Sequence, residues 1–317
     1  MLEALARVGG RFGVTYRMNA AVFAIIQSPD GTARGVRLSS GEELFADTII
    51  INADLVYAFN NLLPLTTYAE SLTKRPASCS SISFFWSFDR VIKELSVHNV
   101  FLAEEYKESF DSIFHRHQLP TEPSFYVNVP SRIDPTAAPD DKDAVVVLVP
   151  VGHIVDDLSN SQDWESLVNR AREAVLQTIE SRTGATGLRE SILRESVEIP
   201  TSWKAKFNLD RGAILGLSHS FFNVLSFRPK IKHPNIQGLY FVGASTHPGA
   251  GVPVALMSAK VASEIILADS SKQTAGRYWW MIWGVVLPLV LAFLSFFGYG
   301  SMDWSRLFFL EVVKERM

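Results

Sequence analysis

Among 317 residues there is a single cysteine, Cys79, which excludes an internal disulfide framework and any zinc site built on clustered thiolates. Charge is sparse as well. Charged residues make up 20% of the chain and the net charge is -3, with no lysine or arginine run to form the basic stripe of a nucleic-acid binder. Nucleic acid is therefore not an expected partner. The seven histidines include no H-E-x-x-H pair; His115 and His117 lie two apart and would diverge on a helix, so no metal site is expected. No G-x-S-x-G elbow occurs, which disfavours a serine hydrolase. Also missing is a strand that leads through G-x-G-x-x-G into a helix, the turn that seats a dinucleotide pyrophosphate. Gly9-Gly10-Arg11-Phe12-Gly13 has the wrong spacing and follows a helical pattern. The N-terminal residues are too short and too charged a stretch for a secretory h-region.

What is present is apolar and periodic. At 47% hydrophobic residues the chain is long enough for two domains with sizeable cores. Residues 2–8 are predicted to be the end of a helix stopped at Gly9-Gly10. Residues 21–27 and 33–38 flank Ser28-Pro29-Asp30-Gly31 as a hairpin. The run from Phe45 to Asp54 suits a buried parallel strand, although periodicity alone does not separate it from buried helix. Asn52 and Asp54 would stand at its carboxyl end, where open α/β sheets bind ligands; equally, they would cap a helix at residues 55–63. Ile82, Phe84, Trp86 and Phe88 alternate with Ser81, Ser83, Phe85 and Ser87, the period of a strand with one aromatic face. Further strands are predicted at residues 124–129 and 144–149. Such a sheet would either wall an apolar cavity or pack an ordinary core. Asp163 caps a predicted amphipathic helix that runs to about Ser181 and ends at Gly184. Pro200-Thr201-Ser202-Trp203 is expected to open a loop, and Arg228 to enter a structural salt bridge.

The most specific segment is Tyr240 to Pro253. An apolar strand enters a loop in which Gly243, Gly249 and Gly251 permit close approach of a ligand to the backbone, and a helix is predicted at residues 254–267 with its amides facing back. Leu239-Tyr240-Phe241-Val242-Gly243-Ala244-Ser245-Thr246-His247-Pro248-Gly249-Ala250-Gly251-Val252-Pro253 closely resembles the C-terminal flavin motif of the phytoene desaturases, the carotenoid-desaturating flavoenzymes of bacteria and fungi. Ile51-Asn52-Ala53-Asp54, Asp134 to Pro139 with Val149 to His153, Asn208 to Phe221 and Phe227 to Lys230 resemble the same family in the same order.

The resemblance implies the C-terminal portion of an FAD-dependent enzyme that lacks the N-terminal dinucleotide fingerprint, with NAD or a quinone as electron acceptor and a long polyene hydrocarbon as substrate. The residues it assigns to the cofactor are Gly243, Ala244, Ser245, His247, Gly249, Gly251, Val252 and Pro253. Desaturation removes a hydride and a proton from adjacent carbons, so the protein chiefly orients flavin and hydrocarbon. A non-catalytic membrane-associated derivative, or a flavoenzyme acting on a retinoid or another carotenoid, is the alternative.

The expected fold class is α/β in the mixed α+β sense: a partial Rossmann-like FAD domain of the amine oxidase type at residues 1–55, a mixed-sheet substrate domain at 56–225, a closing strand-loop-helix at 226–270 and a membrane-anchor tail at 271–317. Residues 278–302 carry no charge, with Tyr278, Trp279, Trp280 and Trp283 at one end and Tyr299 and Trp304 at the other. That pattern predicts a single transmembrane helix with lipid as partner, in the endoplasmic reticulum if the source is eukaryotic. Orientation and oligomeric state are left open.

Overall fold

The computed structural model describes residues 2–155 and 162–271, and the chain divides into one compact unit of residues 1–262 and a second of 263–317. The first helix, α1 (Leu2–Arg11), runs through Gly9-Gly10 instead of stopping there. Glycine weakens a helix interior by only about 1 kcal/mol, and the helix ends with Phe12 and Val14 amides bonded to the Gly9 carbonyl.

The predicted hairpin forms as β1 (Val22–Gln27) and β2 (Ala33–Leu38), extended by β3 (Glu43–Phe45) into a three-stranded antiparallel sheet. The apolar run resolves into β4 (Ile49–Ile51), which pairs in parallel with β10 (Leu239–Phe241), Ile49 opposite Leu239 and Ile51 opposite Phe241. Beyond β4 the chain turns into α2 (Leu55–Tyr57), continues as a wider π-turn over Ala58–Leu62, and reaches α3 (Thr67–Thr73). Ile49, Ile51, Leu55, Phe59, Leu72 and Phe241 gather in one core.

A second core lies under a five-stranded sheet. Its strands are β5 (Ser80–Phe88), β6 (His98–Phe101), β7 (Phe125–Asn128), β8 (Asp143–Val151) and β9 (Ile192–Glu198), in the order β6-β7-β8-β5-β9. The neighbouring helices are α4 (Tyr106–Phe114), α5 (Trp164–Thr183) and α6 (Leu188–Ser191). The aromatic column Ile82, Phe84, Trp86 and Phe88 joins Val145, Val147 and Val149 of β8 and Ala171, Val175 and Ile179 of α5 in that core. It is therefore ordinary core, not a cavity wall. Register places the other column on the opposite face, where Tyr126 lies across from Leu148 and Leu148 from Ser83, while Asn128, Val146, Phe85 and Ser196 line the next row. These side chains are half-buried or exposed, apart from Ser83.

Asp163 caps α5, its side chain accepting the Ser166 amide at 3.2 Å, and Gly184 closes the helix in the left-handed conformation. Asp163→Ala is expected to lower the unfolding free energy by about 1 kcal/mol in a urea titration; no change would mean that the first turn is held by packing alone. Pro200 opens a helix, α7 (Pro200–Phe207), where a loop was expected. Proline at the first helical position lacks only an amide that would be unpaired there anyway.

The expected membrane span, and with it a single-pass membrane localisation, is not sustained. No helix among the described residues is long and apolar enough to cross a membrane. Helix α5 has the length, 20 residues, but carries Glu165, Arg172, Glu173 and Glu180 among its residues. The predicted helix at 278–302 lies outside the described residues.

Candidate functional site

Because β4 and β10 are parallel, the loops leaving their carboxyl ends open on the same side, the position at which such sheets receive ligands. Asn52, Ala53, Asp54 and Leu55 after β4 meet Val242 to Thr246 after β10 around a cavity of about 110 Å³, completed by Leu209, Ile214 and Gly216. The chain is glycine where it has to be. Gly243 has φ +114°, and a Cβ there would stand 2.7 Å from Asn52 Oδ1; a Cβ on Gly216, φ +66°, would collide with Ser245 Oγ.

Hydrogen bonds tie this loop to the large sheet. The Leu217 amide donates to Ser245 Oγ at 3.0 Å. One residue earlier, the Gly216 carbonyl accepts from the Ser78 amide at 2.8 Å, and the Leu215 amide donates to Ser78 Oγ at 3.1 Å. The start of β5 thus adjoins the cavity through the segment 213–217.

Within the loop, Thr246 donates from both amide and hydroxyl to the Gly243 carbonyl, the His247 amide donates to Pro229, and Ser258 Oγ donates to the His247 carbonyl at 3.2 Å. The Arg228 guanidinium, 2% exposed, donates to the Thr246 carbonyl at 3.1 Å, the Asn223 carbonyl at 2.6 Å and the Ala244 carbonyl. No carboxylate pairs with it among the described residues, so the expected salt bridge is replaced by three main-chain acceptors. Burial lowers its pKa from the usual arginine value, yet a guanidinium stays charged in proteins.

Asp54 does both things its position suggested. Its Oδ1 caps α2 by accepting the Tyr57 amide at 2.9 Å, and it lines the cavity. Burial raises its carboxyl pKa, the Tyr57 hydrogen bond opposes that, and nearby Asp210 adds repulsion. Burial also lowers the His219 imidazole pKa, with Arg228 adding to the effect.

Of the residues assigned from sequence, Gly243, Ala244 and Ser245 line the cavity. His247 is exposed, Gly249 is buried with a potential Cβ 3.6 Å from Arg228 Nε, and Gly251, Val252 and Pro253 are exposed where helical residues begin at 252. Gly216, Leu209 and Ile214 were not assigned from sequence. They lie within the Asn208 to Phe221 segment that resembles the family, but nothing in that segment by itself marks them as facing the 243–245 loop. The cavity is well below the 300–1,000 Å³ typical of small-molecule sites.

Residues 1–267 match the family model described as flavin containing amine oxidoreductase, and the chain belongs to that family. It is 53% identical over 287 residues to a phytoene desaturase of Fusarium fujikuroi, covering 85% of this chain and 50% of that one. It is 52% identical to a phytoene desaturase of Neurospora crassa, covering 88% and 48%. The chain spans about half the length of the curated relatives it matches. An oxidoreductase from Methanosarcina mazei superposes with a TM-score of 0.56 at 18% identity, over 83% of this chain and 53% of that one, a likeness of fold.

Proposed function

We propose that this chain takes part in the FAD-dependent desaturation of phytoene in carotenoid synthesis, with the 243–247 loop seating the flavin and the open face of the five-stranded sheet lying along the polyene. The observation that carries this reading is the steric one. Gly243 and Gly216 leave a cradle beside Asn52 and Ser245 that any side chain would fill, on a chain about half identical to phytoene desaturases. When bound, FAD supplies the two-electron acceptor for hydrogen removed from carbon.

The rest falls to the residues of this chain. Gly243, Ala244 and Ser245 would hold the ring edge through backbone groups, and Asn52 would close the same wall. Phe85, Val146, Leu148 and Tyr126 offer apolar surface that excludes water from a hydrocarbon, without a charged group among them. Asp54, beside the ring edge, has its carboxyl pKa raised by burial, against the Tyr57 hydrogen bond that lowers it.

The test is purification of the 317-residue chain, titration with FAD and with riboflavin, and incubation with detergent-dispersed phytoene. Saturable flavin uptake and products with longer conjugation are expected. Because the sequence has no G-x-G-x-x-G turn to grip the pyrophosphate, FAD should bind within about tenfold of riboflavin. A folded chain that takes up neither flavin would overturn the reading. Uptake without conversion would leave the flavin assignment and remove the substrate.

A further inference from the structure

The buried guanidinium of Arg228 does more than fill space. Peptide units are planar and trans, so a carbonyl and the following amide point in opposite directions. Arg228 takes the Ala244 carbonyl, which turns the Ser245 amide away from it, and Thr246 takes the Gly243 carbonyl, which does the same for the Ala244 amide. The amides of Gly243, Ala244 and Ser245 meet no acceptor among the described residues, and all three residues line the cavity. Successive free amides in a concave loop form an anion-attracting nest.

The charge behind them is also unbalanced. Arg228 is 2% exposed, its contacts are carbonyl oxygens from Asn223, Ala244 and Thr246, and no acidic side chain pairs with it among the described residues. The carboxyl that lines the cavity, Asp54, has its pKa raised by burial, which weakens its opposition to an anion. His219 lies on the same side of Gly249 as the guanidinium, its Nε2 3.9 Å from a potential Gly249 Cβ, and burial beside this cation favours its neutral form. A positive charge that is buried and uncompensated raises the potential of the adjoining loop far more than a surface arginine would.

We propose that Arg228 is a positioning residue that turns the 243–245 amides into the cavity and makes that cavity select the negatively charged, reduced form of the flavin ring over the neutral, oxidised one. This rests on the flavin reading above and adds to it a preference between redox forms. Structural importance alone would weaken both forms alike, so the ratio of the two affinities is the diagnostic quantity.

The experiment titrates the 317-residue chain anaerobically with oxidised and with dithionite-reduced riboflavin at mildly alkaline pH, for the wild type, Arg228→Lys and Arg228→Met, with melting temperatures recorded alongside. The wild type should bind the reduced form about tenfold or more tightly than the oxidised form. Arg228→Met should lose most of that preference, while Arg228→Lys, which keeps the charge but not the fork, should retain part of it. If Arg228→Met does not fold, Arg228→Gln, which removes the charge but keeps hydrogen-bond donors, supplies the same comparison with Arg228→Lys. Equal wild-type affinity for both forms, or a preference unchanged in variants that fold, would overturn this inference and leave the flavin reading standing. Binding of neither form by the folded wild-type chain would overturn both.

Discussion

Asp143→Ala should lower the unfolding free energy by about 3–5 kcal/mol, the range for breaking one side of a buried ion pair. The Asp143 side chain is fully buried at the start of β8. Its Oδ2 accepts the Ile92 amide at 2.7 Å and Arg132 Nη2 at 2.8 Å, and its Oδ1 accepts Ser131 Oγ at 2.8 Å and Arg132 Nη1. Alanine leaves a guanidinium, an amide and a hydroxyl without their acceptor in a place water reaches poorly. Burial pushes this carboxyl pKa up, but Arg132, the Ile92 amide and Ser131 together bring it below the usual aspartate value.

The sign of the pH dependence follows. A carboxylate with a depressed folded pKa stabilises at pH above its unfolded value, about 3.9, and that contribution disappears as pH falls through the folded value. Urea midpoints of wild type and Asp143→Asn, measured across the acid range, should differ by a constant amount above about pH 5 and converge below it. A cost under about 1 kcal/mol for Asp143→Ala would show that the cluster is solvated in solution.

The second large effect concerns the cavity. Gly243→Ala is expected to reduce flavin affinity by about a hundredfold or more and, through backbone strain of about 1–3 kcal/mol, to lower the melting temperature by several degrees. The new methyl would lie 2.7 Å from Asn52 Oδ1 at a backbone φ of +114°, which L-residues rarely adopt. Asn52 could swing aside, so the double variant with Asn52→Ala separates the two causes: recovery identifies crowding, and none identifies backbone strain. An affinity for riboflavin within about threefold of wild type would show that the loop does not contact the ring.

Much of this fold is legible in the residues. The two-residue period of β5, the Asp163 and Gly184 caps of α5 and the hairpin around Pro29-Asp30 depend on neighbours in sequence, and each forms as the pattern predicts. Which side of β5 would face outward is a different matter. The aromatic column reads from sequence either as a cavity lining or as ordinary core, and it is α5, far along the chain, that claims it for the core. The site divides the same way. Gly243 to Ser245 are visible as a glycine-bearing loop after a strand, whereas Gly216 acquires meaning only when Ser245 is beside it. Arg228 was misread because a buried arginine suggests a carboxylate partner, and nothing local reveals that three carbonyl oxygens await it. Helix α7 shows the limit of proline as a breaker: Pro200 ends nothing and begins a helix.

Strand β5 holds two alphabets on one thread. The letters at Ile82, Phe84, Trp86 and Phe88 are fixed by what they press against, and those at Phe85 and Ser87 are not. Drift in the second set can reshape the outer surface of the sheet without disturbing its foundation, so that surface can change at nearly constant stability. Insertion of one residue would exchange the two columns at a stroke, which makes length, more than composition, the constraint that selection must guard in this strand.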